Sequence, residues 1–422
     1  MKRRTPVLAT AGLLLASIGV MEPAWAEVEA DAHWIDTWTA APDEAGPVLQ
    51  GATVRQIVRT SVGGSSVRIR LSNLYGKGPL TLGPVHIALH ATGPAIEPGS
   101  DHALTFDGKP TLTIAKGGTA LSDPIDMPVA ALQELAVSIY IPTHGAARNP
   151  STIHGVGMER AYLVHGRDDT AAIGLASAKV TGSRFFLTDV EVAGSSAAGA
   201  IVAMGTSITD GVGSAVDANG RWPDALAARL QSSDAPASMA VVDSGVAGNR
   251  LLQDAADPFR GQSALGRFER DVLGKPGVRW VILEEGINDI AAISLLGTAR
   301  AKVSSKQIIE GMQALVAQAH EKGIKVVGGT LLPYAGIVDY GTPTHPYFTP
   351  AGEAKRQEIN AWIRSAGAFD AVADFDQALR DPAHPDHLLP AFDSGDHLHP
   401  NDAGYKAMAG AVDLHWFASR KE

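Results

Sequence analysis

The chain has no cysteine, few charged residues and no apolar run long enough to cross a membrane. The absence of cysteine excludes disulfides, thiolate metal sites, iron–sulfur clusters, a cysteine nucleophile and a lipidated N-terminal cysteine. Charged residues make up 19% of the 422 residues, and the formal net charge is -10. Because an acidic chain without basic runs binds phosphates poorly, we expect no nucleic-acid partner.

The first residues have the pattern of an export signal. Three basic residues at positions 2–4 precede an apolar run that ends at Val20, and residues 24–26 (Ala-Trp-Ala) form a small-x-small cleavage pattern. A membrane anchor is the alternative, but the run is shorter than the ~20 residues that span a bilayer. We therefore predict a signal peptide at residues 1–26, export to the periplasm or the medium, and no stable membrane insertion after cleavage.

Residues 27–195 have the pattern of a β-rich domain. Residues 67–71 (Val-Arg-Ile-Arg-Leu) alternate apolar and polar side chains, as in a half-buried strand. The Gly-Gly-Ser-Ser sequence before them favours a turn, so we predict a hairpin with residues 56–60. Further short strand candidates lie at 85–89, 111–114, 135–140 and 184–187. Many short strands separated by Gly and Pro predict a β-sandwich or jelly roll.

After residue 195 apolar runs alternate with helical periodicity. Four runs are typical of strands buried on both faces: 200–204, 239–242, 278–283 and 324–327. The clearest helix has Ser304 as its N-cap, Gln307 three residues later and Gly323 at its end. This alternation over residues 196–422 predicts an α/β domain with a parallel, doubly wound sheet.

Residues with catalytic chemistry follow the predicted strands. Ser207, Gly248 and Asn288 come after the first, second and third strands, and Asp396 and His399 lie near the C-terminus. Ligands of such sheets bind beyond the carboxyl ends of the strands. A serine hydroxyl needs a base to take its proton, and Asp396, three residues before His399, can orient that base. The N–H groups of Ser207 and Gly248 and the side-chain amide of Asn288 could converge on an oxyanion.

Four blocks in this order resemble those of the SGNH (GDSL) hydrolase family: residues 205–211, 243–250, 286–289 and 396–400. The resemblance covers about half of the chain by the size expected of one domain. It implies a flavodoxin-like three-layer domain with a parallel sheet. The β-rich region, with residues 34–38 (Trp-Ile-Asp-Thr-Trp), is similar to that of larger secreted relatives.

The resemblance also implies an ester substrate, no cofactor and a role for each site residue. These roles are nucleophile for Ser207, base for His399, orienter of the base for Asp396, and oxyanion donors for Gly248 and Asn288. The chain departs from the family at Thr206, where an aspartate is usual. That aspartate is not a triad member, so the departure concerns the geometry of the loop.

Each of these residues also has an ordinary structural interpretation. Ser207 alone would be an N-cap, Gly248 a glycine with positive φ, and Asn288 a turn residue. Their combination favours catalysis, because triads are recognised by convergent roles. His397 competes with His399 for the role of the base, and the family spacing favours His399.

A metal site is a further alternative, because acidic and imidazole side chains crowd the C-terminal segment. They are His384, Asp386, His387, Asp396, His397 and His399. Zinc hydrolases use such ligands, but the chain lacks a His-Glu-x-x-His helix to organise them. We therefore expect no metal.

The segment 333–350 follows the fourth strand and is rich in aromatic residues: Tyr334, Tyr340, Tyr347 and Phe348. A long loop at that edge of a sheet often shapes access of the substrate. It can equally be a surface loop packed by its own aromatic side chains. The sequence leaves both interpretations open.

The combined prediction is an exported serine esterase. We expect short acyl esters, acetyl above all, on a small molecule or a polysaccharide. A lipase or general carboxylesterase is the alternative within enzymes. A carbohydrate-binding protein with an inert C-terminal domain is the alternative from another class. The sequence gives no indication of the oligomeric state.

Overall fold

The described chain begins with antiparallel strands and ends with alternating strands and helices. The computed structural model describes residues 33–143, 149–232, 238–256, 260–296, 302–338, 341–342 and 345–418. The predicted signal peptide at residues 1–26 lies outside the described residues. Residues Trp34–Glu422 form a compact unit. None of the described helices is both long and apolar enough to cross a membrane.

The N-terminal region is β-rich, as predicted. In β4 the buried side chains of Val67, Ile69 and Leu71 alternate with half-buried ones, which confirms the predicted strand. The strands of this region are β1 (Ile35–Thr39), β2 (Glu44–Ala45), β3 (Ala52–Arg59), β4 (Gly64–Ser72), β5 (Leu80–Leu82), β6 (Val85–Thr92), β7 (Ala95–Ile96), β8 (His102–Leu104), β9 (Leu112–Ile114), β10 (Thr119–Leu121), β11 (Ile125–Val129), β12 (Glu134–Ile141), β13 (Thr152–His154), β14 (Ala161–His165), β15 (Lys179–Thr181), β16 (Arg184–Phe185) and β17 (Leu187–Ala193).

Two antiparallel sheets of this region share one hydrophobic core. The first has the order β1-β17-β4-β10, with β11 also paired to β4; the second has the order β15-β14-β3-β12-β6-β7, with β8 paired to β6. Val58 of the second sheet and Ile69 of the first belong to the same buried cluster. Smaller sheets join β16-β13-β2 and β5-β9. The finer assignment of the region as a jelly roll stays a prediction.

The predicted hairpin between residues 56–60 and 67–71 is wrong. The two stretches lie in β3 and β4, which belong to different sheets. Both strands direct apolar side chains into the core between the sheets, so the chain crosses from one sheet to the other. The crossing at Ser61 and Val62 is fixed by Thr37, whose hydroxyl accepts from both backbone N–H groups at 2.9 Å.

The C-terminal region alternates strands and helices. Its strands are β18 (Ala200–Gly205), β19 (Ala240–Gly245), β20 (Val278–Glu284), β21 (Lys325–Gly329), β22 (Gly341–Thr342), β23 (His345–Pro346) and β24 (Ala371–Ala373). Its helices are α1 (Ser207–Asp210), α2 (Trp222–Leu230), α3 (Ala264–Phe268), α4 (Ile287–Leu296), α5 (Ser305–Glu321), α6 (Pro350–Ser365), α7 (Phe375–Leu379) and α8 (Asp402–Gly410). A π-helical turn, Glu269–Leu273, continues α3, and a 3₁₀ turn, Leu414–Phe417, follows α8.

A parallel sheet with the order β19-β18-β20-β21-β24 forms the centre of this region, as predicted. Numbered along the chain, this is the order 2-1-3-4-5, which is that of the flavodoxin-like class. Ile201 and Ala203 pack into one hydrophobic cluster with α2 and α8, and Val202 and Met204 pack into another with α5 and α6. Helices therefore cover both faces of the sheet. Strand β24 was not predicted, because its three residues are too few to show a pattern.

Helix α5 confirms its predicted boundaries. Ser304 is the N-cap in a β conformation, and its side chain forms a reciprocal capping box with Gln307. The chain leaves the helix at Gly323, whose φ of 72° suits glycine. Its residues Ile308, Met312 and Leu315 are buried in the same cluster as β18 of the sheet.

The β-rich and α/β regions meet along β1 and β19. Thr39 Oγ1 donates to the carbonyl of Asp243 (2.7 Å), and Ser61 Oγ accepts from Val241 N (3.1 Å). Ala240 of β19 joins the hydrophobic core of the β-rich region. These contacts fix the two regions against each other within the compact unit. The domain boundary at residues 195/196 stays a prediction.

Candidate active site

Ser207 lies directly beyond the carboxyl end of β18, at the first residue of α1. The turn is tight, because a Cβ on Gly205 would lie 2.1 Å from Thr209 Oγ1 and 2.7 Å from the carbonyl of Glu284. Thr206 caps the helix, and Gly211 ends it with φ at 92°. Ser207 is 9% exposed. A strand–turn–helix unit thus presents the hydroxyl at the edge of the sheet.

His399 and Asp396 come from the segment before α8 and meet Ser207 there. Ser207 Oγ lies 2.8 Å from His399 Nε2, and His399 Nδ1 lies 2.5 Å from Asp396 Oδ2. The carboxylate can only accept, so Nδ1 carries a hydrogen, and in neutral His399 Nε2 is the acceptor for the serine hydroxyl. The three predicted residues therefore form a continuous hydrogen-bonded chain.

Asp396 is held as an ionised acceptor by its own loop. Its Oδ1 accepts from the backbone N–H groups of Leu398 (2.9 Å) and His399 (2.8 Å). Partial burial works to raise the pKa of Asp396, but the hydrogen bond and the charge of His399 outweigh it and lower this pKa below its ordinary value. The carboxylate is therefore charged at neutral pH and fixes the ring of His399.

His397 has a different partner. Its Nδ1 lies 2.5 Å from Asp393 Oδ2, and its side chain is 45% exposed, whereas His399 is nearly fully buried. The competing histidine is therefore directed to the rim of the site, and Ser207 is bonded to His399.

Asn288 lies at the start of α4, beyond the carboxyl end of β20, and both ends of its amide are bonded. Its Nδ2 donates to the carbonyl of Asn249 (2.7 Å), and its Oδ1 accepts from the hydroxyl of Tyr347 (2.6 Å). Asn249 directly follows Gly248, whose φ of 75° suits glycine. Asn288 and the Gly248 turn are thus brought together at the edge where Ser207 lies, because β18 pairs with both β19 and β20.

Arg267, which was not predicted from the sequence, lies buried at the same edge of the sheet. Its buried guanidinium donates to the carbonyls of Gly205 (3.2 Å) and Ser244 (2.7 Å) and to the side chain of Asn249 (3.0 Å). The ends of β18 and β19 therefore share one charged donor.

Thr206 also bonds to the neighbouring strand. Its Oγ1 lies 3.4 Å from Glu284 Oε2, at the end of β20. Burial and the adjacent Glu285 raise the pKa of Glu284 well above its ordinary value. The hydroxyl at position 206 thus has a carboxyl partner in the core of the sheet.

The histidines of the C-terminal segment are each bonded to a separate aspartate. His384 pairs with Asp381, His387 with Asp386, and His397 with Asp393. Within the parts of the chain that the structure describes, no group of three or more His, Asp or Glu side chains has the geometry of a metal site.

The aromatic segment 333–350 lies partly in the described residues and packs beside the site. Tyr334 contacts Tyr347 edge to face at 5.9 Å and Phe348 at 5.1 Å. Tyr334 and Tyr347 belong to a buried cluster with Leu398, the neighbour of His399. Tyr340 lies outside the described residues. The described aromatic side chains thus pack against one another, in a cluster that includes the neighbour of His399.

Part of the chain is similar to known proteins. Residues 203–407 match the model of the GDSL-like lipase/acylhydrolase family. The chain is similar to three solved structures: a GDSL-like lipase from Bacteroides thetaiotaomicron (20% identity, 50% of this chain, 84% of that chain, TM-score 0.36), the aryl esterase of M. smegmatis (20%, 53%, 99%, 0.40) and a carbohydrate acetylesterase from Sinorhizobium meliloti (17%, 52%, 98%, 0.39). No curated protein gives a match.

The hydrogen bond to His399 makes Ser207 the side chain that an organophosphonate should label. We expect one adduct, on the peptide that contains Ser207, detected by mass spectrometry. His399→Ala should slow the labelling ~100-fold or more, as expected for loss of a general base. His397→Ala is the matched control and should label at the normal rate. Labelling of another serine, or loss of labelling in His397→Ala alone, would contradict the assignment.

Proposed function

From the premise that residues 203–407 make this chain a member of the GDSL-like lipase/acylhydrolase family, and so an ester hydrolase, we propose that it works through a Ser207–His399–Asp396 triad. The observation that carries the proposal is the 2.8 Å contact between Ser207 Oγ and His399 Nε2, continued by the 2.5 Å contact between His399 Nδ1 and Asp396. Nucleophile, base and orienter are in hydrogen-bond order, as this chemistry requires.

The reaction begins when His399 takes the proton of Ser207 as the oxygen attacks the ester carbonyl. The tetrahedral intermediate collapses, the protonated His399 gives its proton to the leaving alcohol, and the acyl group stays on Ser207. Water then attacks the acyl-enzyme with His399 again as base. The second tetrahedral intermediate collapses, His399 gives its proton back to Ser207 Oγ, and the acid leaves. Asp396 stays ionised and stabilises the imidazolium in both steps.

The negative oxygen of each tetrahedral intermediate needs fixed donors. We assign this role to the N–H groups of Ser207 and Gly248 and to Asn288 Nδ2. One hydrogen of Nδ2 is used by the carbonyl of Asn249 at 2.7 Å, which leaves the second for the oxyanion.

For the substrate we propose a short acyl ester, acetyl first, on a carbohydrate. A lipase would need a broad exposed apolar surface at the site. The large exposed apolar side chains among the described residues are Val48, Ile173, Val180, Val216 and Val338. Of these, Val338 is bonded to a triad residue, through its N–H to the carbonyl of Asp396. One exposed valine is not a broad apolar surface, so the described residues favour a short acyl ester over a lipid. We further propose that the protein is exported, which would give it access to polysaccharide esters.

An ester panel tests the function. We expect kcat/KM on p-nitrophenyl esters to be highest for acetyl and to fall toward palmitoyl, and we expect acetate release from acetylated xylan or pectin. Ser207→Ala, which keeps the turn and removes only the nucleophile, should be inactive on every ester. Preference for long chains would favour the lipase alternative. Carbohydrate binding with no turnover of any ester would instead support the non-catalytic alternative and contradict the triad.

Tyr347 gives a sharper test of the oxyanion assignment, because its hydroxyl fixes the orientation of Asn288. Asn288→Ala should lower kcat ~10²–10³-fold and change KM little, since the donor acts mainly in the transition state. Tyr347→Phe removes one hydrogen bond that positions this donor, so we expect a fall in kcat of about tenfold. The double variant should be no slower than Asn288→Ala.

Tyr334→Phe is the matched control for Tyr347→Phe. Tyr334 lies in the same aromatic cluster, and its buried hydroxyl has no hydrogen-bond partner among the described residues. Its loss should leave kcat unchanged. Two results would show that Tyr347 does not position Asn288. One is an equal kcat for Tyr347→Phe and Tyr334→Phe, and the other is additive effects of Tyr347→Phe and Asn288→Ala.

A further inference from the structure

A buried histidine of the β-rich region reaches the helix that carries Ser207. His154 ends β13 and is 6% exposed. Its Nδ1 lies 2.9 Å from the carbonyl of Ala41, and its Nε2 lies 2.8 Å from the carbonyl of Val156 and 3.0 Å from Asp210 Oδ1. Each ring nitrogen thus faces a backbone carbonyl oxygen, which has no hydrogen to give. Both ring nitrogens must therefore donate, which makes His154 an imidazolium cation.

The charges around His154 stabilise this form. Burial alone would lower the pKa of His154, but Asp210, Asp43 and the carbonyl of Ala41 raise it to about 10. Asp43 lies 4.0 Å from Nδ1 and is fixed by the N–H of Gly155, which donates to its carboxylate. The cation thus lies between one carboxylate of the β-rich region and one of the α/β region.

Asp210 connects His154 to the turn that holds Gly248, a proposed oxyanion donor. It is the last residue of α1, three positions after Ser207, and is 2% exposed. Its Oδ1 faces His154, and its Oδ2 accepts from the N–H of Ala247 (2.9 Å), the residue before Gly248. The end of β19 also packs closely against this helix, since a Cβ on Gly245 would lie 2.3 Å from Asp210 N.

We propose that the β-rich region is part of the catalytic apparatus, with His154 and Asp210 as positioning residues that hold the Ala247–Gly248 turn where the Gly248 N–H donates to the oxyanion. The proposal rests on the proposed function and gives the β-rich region a role in it. His154 touches neither Ser207 nor His399 in the described contacts and acts through Asp210. Without the cation, the Asp210 carboxylate would be free to turn away from Ala247 N.

The test compares His154→Gln with a matched control, His86→Gln. His86 is another histidine of the β-rich region bonded to a carboxylate, with its Nδ1 2.8 Å from Asp101 Oδ2, and neither residue belongs to the site. On p-nitrophenyl acetate, His154→Gln should lower kcat about 10- to 100-fold with KM nearly unchanged, because small displacements of catalytic groups cost rates of this order. His86→Gln should change kcat less than about twofold, because in the described contacts neither half-buried His86 nor Asp101 is bonded to a residue of the proposed site.

Each kcat is calculated per mole of folded protein. The folded fraction is measured by circular dichroism and by phosphonate titration of Ser207. Asp210→Asn should lower kcat similarly, and the double variant with His154→Gln should be no slower than the slower single variant. A lower melting temperature with normal kcat in the folded fraction would mean that His154 only joins the two regions, and would overturn the proposal.

A measurement on the unmodified protein covers the case in which the variants do not fold. In protein labelled with ¹⁵N-histidine, the two ring nitrogens of His154 should both show the shifts of protonated nitrogen at pH 8. A neutral tautomer at that pH would overturn the proposal. Absence of esterase activity in the unmodified protein would contradict the proposed function itself, whereas normal activity with an unaffected His154→Gln would contradict this inference alone.

Discussion

The parallel pairing of β18 with β19 and β20 is the constraint on which the site depends. In register, Gly205 lies beside Gly245 on one side and Glu284 on the other, so the three strands end at one level. The segments that follow these three strand ends are therefore neighbours, and they carry Ser207, Gly248 and Asn288. The buried guanidinium of Arg267 bonds the ends of β18 and β19 together. A buried charge is costly unless it is paired, and Asp271 lies 3.4 Å away.

Fixed donors contribute to catalysis only if they do not reorient during the reaction. The described contacts fix them on several sides. Tyr347 and Asn249 hold the two ends of the Asn288 amide, and the adjacent Asp289 accepts from the N–H groups of Leu251 and Leu252 at 2.7 and 3.1 Å. The loop after β19 is thus bonded to α4 and, through Asp210, to α1. In our account, hydrolysis by Ser207 depends on this polar layer as well as on the triad.

The candidate site residues could be predicted from the sequence because their positions follow local rules. Ser207 and Asn288 directly follow buried strands, and Asp396 lies three residues before His399. The supporting residues follow no such rule: Tyr347 is 59 residues from Asn288, and His154 is 56 residues from Asp210. Such pairs form only when the whole fold brings distant segments together. The wrong hairpin has the same cause, since alternation in residues 67–71 predicts which side chains are buried but not which strand pairs with them.

The central claim is that three donors, the N–H groups of Ser207 and Gly248 and the amide of Asn288, converge on one oxygen. A crystal structure of the Ser207 phosphonate adduct measures this directly. We expect the phosphonyl oxygen to lie ~2.7–3.1 Å from all three nitrogen atoms, the separation expected for oxyanion donors. A phosphonyl oxygen directed to solvent, or Asn288 Nδ2 turned away from it, would contradict the account.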